Sequence, residues 1–517
     1  MDYGQITLTY RLRDAVERLS PHLRAQALDE AFRKRAGEEK PSLEARNRAI
    51  CSLLVDAVTV ETRTPAGSGR DEKYEVCCDL FHDGALAVVP LLAASPDDPY
   101  WLTLDEAGDR ARVTEVNEAG AAYAGPPFLV WFRRSKQPSG EASAMAKNGF
   151  KMIDAEMHVM EPVDLWERYI DPEFKARAPR RLSERRWDIR TIVEGEIMAA
   201  MPGGDWPGLS GAEEKTLGDR YAEEIRCNFD AASQVRAMDR EGLDLAILFP
   251  TSAMYITAFD RMDARFAAAA CRAYNDWLHA FIQAGDPRRM FGAAALSPHD
   301  VASAVAEARR AVRELGMKAI FLRPNIYNDR PWHDPYYDPL WATCQELNVP
   351  VGFHETTGSR MKAAGTDRFK TMGIVHIASH SMEQMLACMD VIMGGVMERF
   401  PRLRFAFLEA QCGWLPFWLH RMDDHYEWRK PYGEMTNLTM PPSEYFRRQG
   451  FCAVECDEDF VTHVVDAFGD DNLVTTTDYP HGDAKYPEAM NRFLALPLSD
   501  ASKRKILWDN VFRLYDL

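Results

Sequence analysis

The chain has 517 residues, of which 46% are hydrophobic, and it carries 62 basic against 79 acidic side chains for a net charge of −17. This length allows two domains, and an acidic balance without a Lys/Arg block argues against nucleic acid or an anionic membrane surface as partner. No apolar run reaches membrane-spanning length, and the N-terminus lacks the basic-then-apolar order of a signal peptide, so we expect a cytoplasmic protein. The ten cysteines contain no Cys-x-x-Cys pair, which is typical of reduced core thiols.

The chain is predicted to divide at a polar, turn-rich linker over 135–149, between an N-terminal domain (1–134) and a larger domain (150–517). Apolar residues at helical spacing within 11–60 are followed by strand-like runs at Tyr74–Leu80, Ala85–Leu92 and Pro127–Phe132. This order predicts a small α+β domain. It contains no motif with chemistry, so its role stays open between oligomerisation, a lid and partner binding.

Eight apolar runs alternate with helical segments after the linker. They are Met152–Glu156, Leu243–Phe249, Met290–Leu296, Met317–Leu322, Val349–Phe353, Leu403–Leu408, Phe451–Val454 and Leu473–Thr477. Continuous apolar runs are typical of parallel strands buried on both faces, and the intervening helices, such as those predicted over Ser303–Leu315 and Ser381–Val396, suit βα crossovers. Eight such units without a Gly-rich phosphate loop favour a closed (β/α)₈ TIM-type barrel over an open doubly wound sheet.

A polar side chain follows nearly every predicted strand. The set comprises Glu156, His158, Thr251, Arg323, His354, Glu409, Glu455 and Asp478. Because the reactive groups of such barrels lie at the C-terminal ends of the strands, we expect these side chains to share one pocket. Glu156 and His158 point to the same side of their strand, and a carboxylate beside an imidazole can hold a divalent cation.

Seven segments resemble the amidohydrolase-related family, in the branch that includes aminocarboxymuconate-semialdehyde decarboxylase. They are Asp154–Pro162, His333–Trp341, Pro350–His354, Gly395–Leu403, Leu408–Pro416, Thr477–His481 and Ile506–Asn510. The resemblance covers about residues 150–517 and leaves out the N-terminal domain. It implies one divalent metal ion per chain at the barrel mouth, with Zn²⁺ expected first and Fe²⁺, Mn²⁺ or Co²⁺ as alternatives.

The resemblance implies four ligands for this ion, namely Glu156, His158, His354 and Asp478. The sequence departs from the family pattern at two positions. A glutamate, Glu156, replaces the common first histidine, and its added negative charge favours a harder metal. Glu409 replaces the histidine that usually follows the sixth strand, and it is open as a further ligand, a general base or a structural carboxylate.

Metal-activated water attacking an amide, ester or thioester bond is the predicted chemistry. Asp478 is the candidate proton carrier, His380 the candidate for orienting substrate or stabilising an oxyanion, and Arg323 a candidate clamp for a substrate carboxylate. Without the sixth-strand histidine a decarboxylation would lack its usual proton donor, so we predict a hydrolase. The alternatives are a non-oxidative decarboxylase of an aromatic or enoic acid and a metal-free binding protein.

Several of these residues also have structural interpretations. Asp478 can cap the following turn, Arg323 can form a salt bridge at the barrel rim, and His481 can pair with its own loop. His376, His420 and His425 are predicted to be structural. The expected partners are a small-molecule substrate and a second copy of the chain in a homo-oligomer, a dimer, with neither nucleic acid nor membrane.

Overall fold

The computed structural model describes residues 147–182, 189–198 and 210–517 in full, together with the strand backbones of several further segments. The chain divides into two compact units, Met1–Ser143 and Ala144–Leu517, on the basis of the contacts within each unit. In the described residues no helix is both long enough and apolar enough to cross a membrane.

The second unit is built on one sheet of eight parallel strands, in which each strand pairs with its neighbours in chain order. These barrel strands, one to eight, are Ile153–His158, Leu245–Phe249, Met290–Ala295, Ala319–Leu322, Val351–Phe353, Phe405–Phe407, Gly450–Glu455 and Leu473–Thr476. Nearly all of their side chains are buried, as expected for strands enclosed on the inside by one another and on the outside by helices. The predicted TIM-type barrel and all eight of its strands are confirmed.

Side chains complete the barrel between the first and eighth strands, which share no regular ladder. The carboxylate of Asp154 accepts hydrogen bonds from the backbone N–H and the hydroxyl of Thr477. The hydroxyl of Thr476 donates to the carbonyl of Glu156 over 2.7 Å, and the N–H of His158 donates to the carbonyl of Tyr479 over 2.6 Å. We call this junction the seam. It holds Glu156 and His158 against the loop that follows the eighth strand.

Helices surround the sheet, and several begin at the acidic caps that the sequence supplies. Asp230 accepts the N–H of Ser233 at the start of one helix, which ends at Gly242 in the left-handed conformation at φ 83°. The α-helices are Leu165–Tyr169, Gly211–Arg220, Ala222–Arg226, Ala231–Glu241, Ala264–Ala284, Val301–Arg313, Asp338–Glu346, Met372–Met393, Val396–Arg399, Leu415–Arg429, Pro442–Gln449, Val461–Ala467, Ala489–Ala495, Asp500–Arg504 and Asn510–Tyr515.

Shorter elements complete this unit. The 3₁₀ turns are Pro172–Arg177, Ser252–Tyr255, Pro335–Tyr337 and Lys430–Tyr432, and Lys505–Asp509 is a π-helical turn. The small antiparallel strands are Arg180–Arg181, Thr191–Val193, Glu196–Met198, Ala200–Met201 and Gly204–Asp205. One helix differs from the prediction in a way that matters for the site, because it begins at Met372 rather than Ser381.

In the first unit the described strands form one antiparallel sheet. Their order across the sheet is Val55–Arg63, Gln5–Leu12, Tyr100–Ala107, Arg110–Glu118, Phe128–Arg133 and Glu75–Cys77, with Ala121–Ala122 paired to Arg110–Glu118. Two of these overlap strands predicted from the sequence, whereas the predicted strand Ala85–Leu92 and most of the predicted helical segment lie outside the described residues. The α+β class, the linker and the domain boundaries therefore stay predictions.

Candidate metal centre

The C-terminal ends of four barrel strands bring together the side chains that the sequence singled out. Glu156 and His158 end the first strand, His354 follows the fifth, Glu409 follows the sixth and Asp478 follows the eighth. Glu156, His158 and His354 are at most 1% exposed. Parallel strands end at the same rim, which explains why residues so distant in sequence become neighbours.

The donor atoms of this group lie close enough to share one ion. Nε2 of His354 is 2.6 Å from Oε1 of Glu156, 2.9 Å from Oε2 of Glu409 and 3.2 Å from Nε2 of His158. Nε2 of His158 is 3.7 Å from Oε1 of Glu156 and 3.6 Å from Oδ1 of Asp478. Donors bound to one divalent ion at about 2.0–2.2 Å lie at comparable distances from each other.

Both histidines are oriented as metal-binding histidines are. Nδ1 of His158 lies 2.7 Å from the carbonyl of Pro250, and Nδ1 of His354 lies 2.7 Å from the carbonyl of Glu355. Because a carbonyl only accepts, each Nδ1 carries the proton, and each Nε2 lone pair faces the other donors. Such a backbone partner fixes both the tautomer and the ring orientation of a ligand histidine.

The hydrogen bonding of the Glu156 carboxylate indicates whether a cation fits this arrangement. Both of its carboxylate oxygens are buried, and within the described residues neither accepts a hydrogen bond. A buried carboxylate that accepts no hydrogen bond destabilises the folded state unless a cation lies beside it. The donor set, two imidazoles and several carboxylate oxygens, is one that Zn²⁺, Mn²⁺ and Fe²⁺ accept. These residues therefore fit a divalent cation.

The electrostatics of the cluster agree with this assignment. Burial lowers the pKa of His158 to about 4, so its imidazole stays neutral, as a ligand must be. Burial would also lower the pKa of His354, but the carboxylates of Glu156 and Glu409 raise it well above its usual value. The two carboxylates thus favour positive charge near Nε2 of His354, which a divalent ion would supply.

Glu409 and Asp478 extend the cluster toward the cavity. Both have a left-handed backbone, with φ of 48° and 55°, which is uncommon outside glycine and is found at functional sites. Burial would raise the pKa of Glu409, but the neighbouring His354 holds it well below its usual value. Glu409 is therefore an ionised carboxylate at the edge of the candidate ion site.

Asp478 is paired with a histidine that the sequence left undecided. Oδ1 of Asp478 is 2.6 Å from Nδ1 of His481, and Nε2 of His481 lies 3.1 Å from the hydroxyl of Thr251. The ring of His481 also stacks on His158, with centroids 4.0 Å apart. Burial alone would lower the pKa of His481, but the Asp478 carboxylate raises it to about 9.

The loop that carries Thr251 is held by Glu161. The Glu161 carboxylate accepts the backbone N–H groups of Thr251, Ser252 and Ala253 at 2.9–3.0 Å, and the Ser252 hydroxyl at 2.8 Å. The carboxylate thus satisfies the free N–H groups at the start of the 3₁₀ turn after the second strand. Glu161 therefore acts indirectly: it fixes the position of Thr251, whose hydroxyl lies beside His481.

The helix Met372–Met393 adds two histidines that lie one turn apart. His376 and His380 stack with centroids 3.8 Å apart, and their Nε2 atoms are each 3.7 Å from an oxygen of Glu409. The sequence predicts His380 to lie before a helix and His376 to be structural, whereas both lie within the first turns of a helix and line the cavity. Burial lowers the pKa of His380 to about 3, so it is neutral.

Arg323 lies apart from these groups. It is fully buried and pairs with Oε1 of Glu355 over 2.8 Å, with further hydrogen bonds to Asn325 and the carbonyl of Thr356. It is not among the side chains that line the cavity, although Glu355 is. In this arrangement the guanidinium supports the loop after the fifth strand, and its predicted contact with a substrate carboxylate stays a prediction.

A cavity of about 490 Å³ opens beside the cluster. Apolar side chains, including Met160, Leu217, Met254 and Tyr255, form part of its wall. His376, His380, Glu409 and His481 also line it. Its mixture of apolar walls and a few convergent polar groups is typical of a small-molecule site.

Two residues of the site were missed or left open from the sequence, His376 and His481, whereas His380 was predicted as a candidate for orienting substrate. His376 and His380 stand four positions apart, a spacing that places two side chains on one helix face, but this signal requires knowing that the helix begins at Met372. His481 follows Asp478 by three residues, and only the turn of the loop brings their side chains together.

Comparison with known proteins agrees with the fold. The family model described as amidohydrolase matches residues 153–517. The chain is 25% identical over 262 residues to the 2-amino-3-carboxymuconate-6-semialdehyde decarboxylase of Dictyostelium discoideum, an alignment spanning 50% of this chain and 70% of that protein.

Two solved structures share the barrel. The 5-carboxyvanillate decarboxylase of Sphingomonas paucimobilis superimposes with a TM-score of 0.52 at 20% identity, over 71% of this chain and all of that one. The dihydroxybenzoic acid decarboxylase of a Polaromonas species, which contains manganese and the inhibitor 2-nitroresorcinol, gives 0.50 at 21% identity, over 60% of this chain and 91% of that one. At these identities the likeness establishes the fold.

Proposed function

The chain belongs to the amidohydrolase family, and from that membership together with its site we propose that it is a metal-dependent, non-oxidative decarboxylase of an aromatic or enoic carboxylic acid. The relatives favour this alternative over the hydrolase predicted from Glu409, since they are carboxy-lyases. The prediction assumed that a proton donor was missing, but other elements bring histidines to the same cavity.

One observation carries the proposal: a buried two-histidine, two-carboxylate cluster reaches, through Glu409, a cavity that His481 also lines. Glu156, His158, His354 and Asp478 would hold the ion, and Glu409 would stand at its edge. When bound, such an ion polarises oxygen atoms of a chelating substrate and stabilises the negative charge that develops on it. Manganese is the first ion to test because the Polaromonas decarboxylase contains it, with zinc second.

The residues of the chain would supply orientation and a proton. Decarboxylation breaks the bond between the substrate carbon and its carboxylate, so that carbon dioxide leaves and the bonding electron pair stays on the carbon. His481, held protonated by Asp478 and facing the cavity, is the candidate donor to that carbon. His481 returns to its charged form by taking a proton from solvent.

The apolar wall suits a planar ring or an extended enoic chain. Met160, Met254 and Tyr255 offer contact surface, and the hydroxyl of Tyr255 donates to the carbonyl of Thr357 over 2.7 Å. A small-molecule substrate follows from this volume. A homo-oligomeric state and a cytoplasmic location stay predictions of the sequence.

The experiment is to incubate the Mn²⁺-loaded protein with a panel of hydroxybenzoic and enoic acids in D₂O and, separately, in ¹⁸O-water. We expect carbon dioxide release with one deuterium on the product carbon and no ¹⁸O in the product. An ¹⁸O-labelled product, or no carbon dioxide from any acid of the panel, would contradict the proposal.

Two variants test the site assignment in the same assay. His354→Ala and Asp478→Asn should lower both the affinity of this site for its ion and the rate by at least about 100-fold, because each removes a ligand. His425→Ala, on a helix remote from the cluster, is the matched control. Wild-type metal content and activity in both ligand variants would refute the proposed centre.

A further inference from the structure

We propose that His376, His380 and Glu409 form a second divalent-cation site, so that the centre holds two ions bridged by the Glu409 carboxylate. The donor atoms of these three side chains all lie within 4.8 Å of one another. The inference extends the proposed one-ion centre and holds whichever bond the enzyme breaks.

The helix Met372–Met393 preorganises the two histidines. They are four residues apart, so they lie one above the other on one helix face, and their rings are stacked within 17° of parallel. Nδ1 of His380 lies 3.3 Å from the hydroxyl of Ser379 and 3.4 Å from that of Thr357, which leaves Nε2 to face Glu409. Paired histidines at this spacing on a helix are a recurring metal-binding arrangement.

Glu409 faces both donor sets at once. Its Oε2 is 2.9 Å from Nε2 of His354 in the first set and 3.7 Å from Nε2 of His380 in the second, while Oε1 is 3.7 Å from Nε2 of His376. A carboxylate, unlike the histidine common at this position, has two oxygens and can bridge two ions. The departure from the family pattern at Glu409 thereby acquires a chemical reason.

The dimensions suit a second ion. Donors bound to one ion at about 2.1 Å lie about 3–3.5 Å apart, so the present spacings require the side chains to close by only a few tenths of an ångström to about 1 Å. His376 is 38% exposed and lines the cavity, which gives an ion a route from solvent and leaves room for water or substrate as further ligands. Two ions sharing a carboxylate would stand about 3.5–4 Å apart.

The competing interpretation is that His376 and His380 only exchange protons or ion-pair with Glu409. The two interpretations differ in stoichiometry. Proton exchange requires no second ion, whereas the proposed site binds one in the absence of any substrate.

The experiment measures metal content and spin coupling in the full chain without an affinity tag. After dialysis against Mn²⁺ alone, we expect about two ions per chain and an electron paramagnetic resonance spectrum with exchange coupling. His376→Asn and the pair His376→Ala with His380→Ala should each bind about one ion and give an uncoupled spectrum. His376→Asn alters a half-exposed side chain and is the variant least prone to misfold.

The matched control is His420→Ala with His425→Ala, which removes two helix-borne histidines outside the cluster and should retain both ions. About one ion in wild type, unchanged in the His376 and His380 variants, would overturn the second site and leave the proposed one-ion centre standing. No ion in wild type would overturn both. Loss of every ion in folded His376→Asn would also overturn the proposal, because the two sites would not be separable.

Discussion

His481 illustrates how one residue can gain a function from a neighbour three positions away. Its imidazole lies 2.6 Å from Asp478, and that carboxylate raises its pKa to about 9. If His481 is the proton donor, turnover should fall as the pH rises through about 9, because the charged form is then lost. The measurement is the pH dependence of kcat from pH 6 to 10.

His481→Asn should lower kcat by roughly 10²–10⁴-fold and remove the alkaline fall in the pH profile. His463→Asn replaces an exposed histidine on the helix Val461–Ala467 and should leave both unchanged. An asparagine variant with the wild-type rate and profile would exclude His481 as the donor.

The residues of the candidate site were predictable to different degrees. Glu156, His158, His354, Glu409 and Asp478 follow strong apolar strands, and the rule that strand ends share one rim was enough to bring them together. His376 was missed because the start of its helix has a weak signal. The place of Arg323 depends on Glu355, a partner whose proximity only the tertiary structure reveals.

At the scale of elements, Asp154 is central to the seam between the first and eighth strands. It accepts the backbone N–H groups of Glu156 and Thr477 in the buried interior. Asp154→Ala leaves these donors without a partner and should cost about 1–3 kcal/mol for each in free energy of unfolding. Asp154→Asn keeps one acceptor oxygen and should cost less. Urea unfolding in the presence of a chelator measures both.

The same residue makes stability depend on pH. Burial raises the pKa of Asp154 to about 7, above the value near 4 expected in the unfolded chain. The folded state therefore binds this proton more tightly, and the contribution of Asp154 to stability falls as the pH rises from about 4 to about 7. Asp154→Asn should lose less stability between pH 5 and pH 8 than wild type, while Asp424→Asn on the surface should match wild type. Equal losses in all three proteins would contradict the assignment of this pH dependence to Asp154.

At the scale of the whole molecule, the barrel was predictable because eight apolar runs and their intervening helices repeat one simple pattern. Each strand buries its own residues, so local sequence and tertiary structure agree. The N-terminal region offers no such repetition. Its strands at Gln5–Leu12, Tyr100–Ala107 and Arg110–Glu118 alternate polar and apolar residues and were not predicted.

The division of the chain leads to a test of the barrel as an independent unit. Every strand of the barrel and every residue of the candidate centre lie within 144–517. A protein restricted to these residues should therefore fold, and Mn²⁺ at about 100 times its Kd should stabilise it by about 2.7 kcal/mol, since the ion binds the folded state alone. Thermal melts of this fragment and of the full chain, with Mn²⁺ and with a chelator, should show the same metal-dependent rise in Tm. The His354→Ala fragment is the control and should show a smaller rise, because it lacks a ligand of the first ion. A rise confined to the full chain would contradict the expectation that residues 144–517 fold and bind the ion by themselves.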